Sequence, residues 1–391
     1  MATSSSSKST RGGRAVVVGG SLGGLFAATL LRRIGWEVDV FERSPHDLDG
    51  RGGGVVLQPE VVEAFRAAEV RYDASIGVVA QERVFLDAAG RVADRVPMRQ
   101  LLTSWTTLYG ALRRHFPDGH YHRGAALSGL EQDADGVVAR FADGREARGD
   151  LLVAADGVGS AVRRLLLPGV EAEYAGYVAW RGLVDEPDLP EAAASVLRDR
   201  FAFFDYPNSH ILNYLVPGAG EAVEPGARRH NWVWYRNANP ARLRALMTDR
   251  DGRGRATSVP PGLLSAAAEA DLRTAAARFL PPPFRLLVEA TREPFAQAIV
   301  DLASPRMAFG RVALVGDAAF VPRPHTAAST SKAAGNALAL ARALAAEPGA
   351  DVPAALAAWE PGQLAVGEHL RRHGRALGER SQRAHPADTE T

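Results

Sequence analysis

Apolar and polar positions divide the chain into stretches of distinct period. Ala15–Val18 is a short apolar run that breaks into glycine, Leu25–Ile34 carries apolar residues at helical spacing, and Val38–Phe41 is a second short run. This succession predicts strand, turn, helix and strand, a βαβ unit at the start of the chain. From Arg123 to Val153 the pattern becomes alternating, interrupted at Asp133-Ala134-Asp135-Gly136 and Ala142-Asp143-Gly144. Those interruptions carry hairpin-turn residues, so a small antiparallel ribbon is expected, followed by a buried strand over Leu151–Ala154. Aromatic and β-branched runs then recur at Tyr177–Val184, Phe201–Tyr206, His210–Val216 and Trp232–Tyr235. They predict a mixed sheet with one face turned to a ligand or a core. Residues Asp249–Gly262 have loop composition. Helical spacing returns over Leu264–Arg278 and Pro283–Glu289, a buried strand over Val312–Val315, and an Ala-rich helix over Thr326–Leu344. A last helix is expected to end near Gln382.

This order implies an α/β protein whose chain leaves a nucleotide-type domain, builds a sheet-rich domain and returns. The first domain is expected over residues 12–170 and 300–380, and the second over 171–299, with part of its sheet drawn from residues near 75–100. Tails 1–11 and 383–391 are expected to be disordered.

With 391 residues the chain exceeds one ordinary core. Lys+Arg 46 against Asp+Glu 45 leaves a net charge of +1, no field for gathering nucleic acid or an acidic membrane. The absence of cysteine removes disulfides, thiolate metal sites and a cysteine nucleophile. The leader Met1–Arg14 is polar and lacks the apolar core of a signal peptide, and no stretch is apolar enough to span a bilayer. A cytoplasmic enzyme or binding protein is therefore expected, with no nucleic-acid and no membrane partner. His115, His120 and His122 cluster around a Pro-Asp-Gly turn with no convincing acidic partner, so no metal site is expected.

Chemistry enters at Val18-Gly19-Gly20-Ser21-Leu22-Gly23-Gly24-Leu25, between the first strand and helix. Gly19 and Gly24 fit the outer positions of the dinucleotide fingerprint, and Ser21 stands at the middle one. Glu42 falls at the end of the second strand, placed to accept hydrogen bonds from a ribose, and the helix start offers amides to phosphate. The same residues spell G-x-S-x-G, the hydrolase elbow with Ser21 as nucleophile. That elbow needs earlier strands and an upstream oxyanion loop, and here a single strand precedes it.

Two more motifs follow buried strands. Asp156-Gly157-Val158-Gly159-Ser160-Ala161-Val162-Arg163 serves either as a turn with a helix cap or as part of a cofactor site. Gly316-Asp317-Ala318-Ala319 places a carboxylate at a strand end, where it binds a sugar hydroxyl or caps a loop. In this order and at these separations the three motifs resemble the class A flavoprotein aromatic hydroxylases, over nearly the whole chain from Arg14 to about Arg380. The resemblance implies a Rossmann-like FAD-binding domain of the para-hydroxybenzoate-hydroxylase type, interleaved with a mixed β-sheet substrate domain. It assigns Gly19, Ser21, Leu22, Gly24, Glu42 and Arg43 to the ADP half of FAD. Asp156 and Arg163 fall where FAD pyrophosphate and the nicotinamide cofactor meet. Asp317 falls at the ribityl chain, with Pro324, Ala328, Ser329 and Thr330 facing the flavin.

Closer similarity points to the 2,6-dihydroxypyridine 3-hydroxylase subgroup. It lies in Tyr177-Val178-Ala179-Trp180-Arg181-Gly182, Trp232–Asn237, Pro294–Leu302 and Arg306–Arg311, and runs on to Phe320, Pro324, His325 and Thr326. The implied activity is hydroxylation of an electron-rich, hydroxylated aromatic or N-heteroaromatic ring through a flavin hydroperoxide. FAD would be the cofactor, NADPH or NADH and O2 the co-substrates and a small aromatic molecule the substrate, with a homodimer left open. The chain departs from the family at Gly110, Ser329 and Asn336, expected to face the flavin. Candidate catalytic residues are His325, His210 and Tyr214; His210, Leu212 and Tyr214 share one strand face and Asn213 the other, and either face could meet substrate. Oxidation or rearrangement without oxygen insertion, and ligand binding by a chain that has lost FAD, stay open as alternatives.

Overall fold

The computed structural model describes residues 12–48, 53–346 and 351–382; the two tails expected to be disordered lie outside them. The βαβ unit forms as expected: Arg14–Val18, the helix Leu22–Arg33, and Glu37–Glu42 pairing in parallel with the first strand. The helix is buried almost all round, from Gly24 to Leu31, because the sheet lies on one side and the Ala-rich helix Ser329–Ala345 on the other. Small side chains at Ala333, Ala334 and Ala337 let the two helices approach, and each larger apolar side chain sealed between them contributes about 1.5–3 kcal/mol.

Six strands make this first sheet, in the order Ala308–Phe309, Val312–Leu314, Leu151–Ala154, Arg14–Val18, Glu37–Glu42 and Tyr121–Arg123. All but the outermost pair at one edge are parallel. Parallel central strands carry their ligands at their carboxyl ends, and the three motifs all sit there. A ribbon of Leu127–Gln132, Val137–Phe141 and Glu146–Gly149 forms a separate three-stranded sheet, as its turn residues predict.

The second sheet has ten strands. Its path runs Ser258–Val259, Phe295–Ala303, Glu173–Asp185, Arg229–Asn237, Ser209–Val216, Arg200–Tyr206, Val78–Leu86, Val92–Ser104 and Gly54–Val56, with Phe320–Val321 pairing off the path to Phe295–Ala303. Arg200–Tyr206 pairs with Val78–Leu86 in parallel, joining segments far apart in sequence. The short strand Ser258–Val259 lies inside the stretch expected to be loop.

One face of the large sheet carries Val178, Trp180, Ile211, Trp232 and Trp234 in a core with Leu272, Phe284 and Leu287 of the helices Ala266–Phe279 and Pro282–Ala290. The other face carries Tyr177, Arg181, His210, Leu212, Tyr214, Asn231 and Tyr235, since paired residues share a side. His210 on it touches His325 and Tyr214 approaches Gly54, so this is the face toward the motif-bearing loops. The Asn213 face is the core-facing one.

The helix Val352–Gln382 closes the molecule across the loop before the Ala-rich helix. Gly367 meets the Phe320 ring, Gly374 the Arg323 backbone, and Gly378 both Arg323 and the Tyr177 hydroxyl, all at distances that leave no room for a β-carbon without displacement.

Candidate active site

The glycine turn is built by close approach. Gly19 has φ +104°, and a β-carbon there would lie 2.4 Å from the Ala155 carbonyl oxygen. A β-carbon on Gly24 would lie 1.8 Å from the Gly19 carbonyl oxygen. These are the tight turn and the close helix–strand contact the fingerprint requires. Ser21 takes the N-cap position of the helix without a side-chain cap bond. The first intrahelical bond is Leu25 N–H to Ser21 C=O, so the amides before it, including that of Leu22, remain free donors at the positive end of the helix. Glu42 is buried; one oxygen accepts from Gly20 N–H and the other from Ser44 N–H, each at 2.8 Å. Each oxygen keeps a second lone pair for a ribose hydroxyl. Arg43 is exposed beside it. Tyr121, which the motif alone does not reveal, donates to the Gly20 carbonyl at 2.9 Å and fixes the turn from below.

Of the two roles the sequence left open for Asp156, the structure shows the helix cap. One oxygen caps the short helix Ala161–Leu166 through Ala161 N–H (2.7 Å) and Val162 N–H (3.3 Å), and Ser160 caps it through Arg163 N–H (2.9 Å). The other oxygen is buried without a partner. The Arg163 guanidinium bonds the carbonyls of Val158 and Ala318, tying this loop to the Gly316-Asp317 loop, while its Nε is buried and unpartnered. Asp317 is partly exposed and pairs with Lys332, whose side chain is wholly buried on the Ala-rich helix. Lys332 gives no sequence signal, since its approach depends on how the intervening loop folds.

Two of the three departures are engaged by other parts of the chain. Asn336 was expected toward the flavin; it is buried beneath the Gly316 turn, accepting from Gly316 N–H at 3.0 Å and donating to Gln363 at 2.8 Å. A β-carbon on Gly110 would meet the Arg114–Glu221 ion pair. Ser329 is exposed at the start of the Ala-rich helix, next to Ala328 at its N-cap and Thr330 in its first turn. Their amides precede the first bond of that helix, from Lys332 N–H to Ala328 C=O. Ala327 holds φ +53°, the left-handed region that favours glycine.

Pro324 and His325 lie in the short turn before that helix. His325 Nε2 is 2.9 Å from the Tyr177 hydroxyl, and its ring centroid is 4.5 Å from Tyr235 and 5.2 Å from His210. Arg323, bidentate to Asp301 at 2.8–3.2 Å, pins this turn to the large sheet. Burial, with the His210 and Arg323 charges adding to it, lowers the His325 pKa to about 3, and burial lowers that of His210 to about 4. Both rings are neutral at physiological pH. His210 bonds Ser381 near the end of the last helix. Tyr214, on the same face four residues along and so about 13 Å away, does not join this cluster; it packs edge-on to Phe201. Trp180 and Trp232 are core residues on the opposite face.

Two of the three histidines assigned no acidic partner do have one. His120 Nδ1 and His122 Nε2 both lie 3.0 Å from Asp39 Oδ1, and Arg14 pairs with the other oxygen. Parallel strands bring residues more than eighty apart into one ion cluster. Among the described residues no group of His, Asp or Glu is arranged to hold a metal ion, and no helix is long and apolar enough to cross a membrane.

These features fit FAD. In the glycine cradle Gly19, Gly20 and Gly24 admit no β-carbon, the free amides suit a pyrophosphate, Glu42 suits a ribose, and Asp156 and Arg163 each keep a buried atom without a partner. A family model described as FAD binding domain-like matches residues 174–301. The chain is 39% identical over 358 residues to the 2,6-dihydroxypyridine 3-monooxygenase of Paenarthrobacter nicotinovorans, covering 90% of this chain and 88% of that one. The solved structure of 2,6-dihydroxypyridine-3-hydroxylase from Arthrobacter nicotinovorans matches with a TM-score of 0.89 at 36% identity, over 96% of this chain and 95% of that one. Klebsiella pneumoniae HpxO complexed with FAD and uric acid shares the fold, with a TM-score of 0.76 at 22% identity over 94% of this chain and 88% of that one. With the cradle, the sheet face and these likenesses in agreement, the chain belongs to the class A flavoprotein aromatic hydroxylases and is an FAD-dependent monooxygenase of aromatic compounds.

Proposed function

We propose that the enzyme hydroxylates a hydroxylated aromatic or N-heteroaromatic ring of the dihydroxypyridine type, with NAD(P)H as reductant and O2 as oxygen source. The observation that carries this is the docking of His325 onto Tyr177, Tyr235 and His210, which sets a neutral base beside an aromatic sheet face. It is supported by the name of the dihydroxypyridine relative, matched over nine-tenths of the chain. Bound FAD supplies the redox chemistry, carrying electrons from NAD(P)H to dioxygen so that one oxygen atom reaches the ring.

The chain's own residues hold and orient. Gly19, Ser21, Leu22, Gly24, Glu42 and Arg43 receive the ADP half, Asp156 and Arg163 the pyrophosphate side and Asp317 the ribityl chain. Free amides at Ser329 and Thr330, with the dipole of the helix behind them, stabilise negative charge on the cofactor ring, while the Ala328 amide donates to the Thr326 hydroxyl. The tautomer of His325 with its proton on Nδ1 accepts from Tyr177, and a ring hydroxyl of the substrate competes for that acceptor. His210 and Ser381 offer the next proton positions toward the end of the last helix. Leu212, Val233 and Ile299 keep the sheet face dry.

The test is to load the purified protein with FAD, desalt it and record the visible spectrum. NAD(P)H oxidation is then followed with 2,6-dihydroxypyridine and with phenols. Retained flavin and substrate-dependent oxidation, matched one to one by hydroxylated product, are expected. Loss of flavin on desalting, or turnover with an unchanged ring, would reject the proposal.

A further inference from the structure

Arginine carries almost all of the positive charge of this chain: of 46 Lys+Arg, lysine stands only at Lys8 and Lys332. Lys8 lies outside the described residues, and Lys332 is the one lysine among them. Its side chain is 0% exposed, against 6–8% for the buried, carboxylate-paired arginines Arg228, Arg236 and Arg323. An ammonium is more strongly hydrated than a guanidinium, so withdrawing it from water is the more costly choice. The place adds a second cost, because Lys332 lies in the first turn of the helix Ser329–Ala345, where the helix dipole disfavours a cation.

What Lys332 touches gives the reason for its place. The ammonium bonds Asp317 Oδ1 and lies 5.6 Å from the centroid of the Phe320 ring; among the described residues it makes no other hydrogen bond or ion pair. Asp317 belongs to the turn that follows the strand Val312–Leu314, and its side chain is 43% exposed. Its second oxygen has no partner among the described residues. The helix grips this turn at two levels. Asn336, one helical turn beyond Lys332 and on the same face, accepts from Gly316 N–H at 3.0 Å. Gly316 holds φ +59°, and a β-carbon there would lie 3.3 Å from the Ala333 β-carbon. Asn336 and Ala333 thus fix the backbone of the turn, and Lys332 fixes its carboxylate. Tied at one oxygen from inside, Asp317 offers the other as an acceptor.

We propose that Lys332 is a positioning residue for the cofactor: it holds the Asp317 carboxylate so that its second oxygen meets a hydroxyl of the ribityl chain of FAD. This deepens, and rests on, the reading that gives Asp317 the ribityl chain. A lysine that served the fold alone would be felt equally by every ligand of the nucleotide-binding turns. One that acts through Asp317 is felt only by a ligand that carries the ribityl chain.

The test reads binding without turnover. FAD-loaded full-length protein is diluted stepwise and the released flavin is followed by its fluorescence, which gives Kd for FAD. ADP, the half of the cofactor that lacks the ribityl chain, is then titrated as a competitor. K332M, close to lysine in length but uncharged, is expected to weaken FAD by roughly 10–100-fold, the worth of a hydrogen bond to a charged group, and to leave Kd for ADP within about twofold of wild type. K332L, smaller and equally apolar, decides the question if K332M does not fold. D317N is expected to show the same split between FAD and ADP, and K332M/D317N to bind FAD no more weakly than the weaker single variant, since the two residues act as one unit. FAD affinity unchanged in K332M, with the split present in D317N, overturns the role of Lys332 and leaves Asp317 at the ribityl chain. No split in D317N removes Asp317 from the ribityl chain and the proposal with it. FAD and ADP weakened together in K332M marks a residue of the fold alone and overturns the proposal as well.

Discussion

His325 shows how much a single residue depends on its surroundings. A histidine beside proline has no fixed function in sequence, yet here it bonds Tyr177 and is kept neutral by burial, its pKa lowered to about 3. Replacing it with glutamine keeps a polar side chain but removes the base. H325Q is expected to retain FAD and to lose about 10²–10⁴-fold in kcat/KM for hydroxylation, the usual worth of a positioned base. Flavin absorbance and steady-state kinetics on one preparation check both halves, and an unchanged kcat/KM would remove His325 from the chemistry. Gly19, Gly24 and Glu42 were legible in the sequence because a tight turn and a ribose acceptor demand those residue types at that spacing. Lys332 and Asn336 were not, since what each touches is decided by a loop and by a neighbouring helix.

At the scale of elements, the last helix does more than cover the core. Gly367, Gly374 and Gly378 give it a face without side chains, on which Phe320, Arg323 and Tyr177 rest. Gly378→Leu would place a branched side chain where a β-carbon already meets the Tyr177 hydroxyl at 2.7 Å. Overpacking of this kind costs about 1–3 kcal/mol. Because the helix backs the His325 turn, kcat/KM is expected to fall by about tenfold or more through misplacement. Denaturant unfolding and kinetics measured together check this; a stable variant with full activity would show that the glycines are not needed for the contact. Local pattern revealed the strands Tyr177–Val184 and His210–Val216 and the Ala-rich helix, where period and composition agree. It did not reveal which face of His210–Val216 is packed under helices, because both faces mix apolar and polar residues and those helices are distant in sequence. The ion cluster of Asp39 with His120 and His122 escaped for the same reason, a parallel pairing across more than eighty residues.

At the scale of the molecule, the large sheet takes strands from Gly54–Val56 through Phe295–Ala303, and its His210 face meets the His325 turn that precedes the Ala-rich helix. Burying three neutral histidines, two of them at the His325 turn and His230 on the core-facing side of the large sheet, links stability to pH. His210 and His230 have pKa values lowered to about 4 and His325 to about 3, in each case chiefly by burial. The unfolded chain takes up protons below about pH 6.5 that the folded protein refuses, so their contribution is complete above that pH and is lost as pH falls toward 4. Urea unfolding is expected to show a midpoint that falls steadily between pH 6.5 and 4, and one that stays flat over this range would contradict the buried, neutral assignment. The most direct test of the whole account follows the oxygen atom. FAD-loaded enzyme is given NAD(P)H, 2,6-dihydroxypyridine and isotopically labelled dioxygen, and the product is weighed by mass spectrometry. One labelled oxygen per product ring, formed in step with NAD(P)H consumed, is the expected result. An unlabelled product, or NAD(P)H consumed with hydrogen peroxide released and the ring recovered intact, would contradict it.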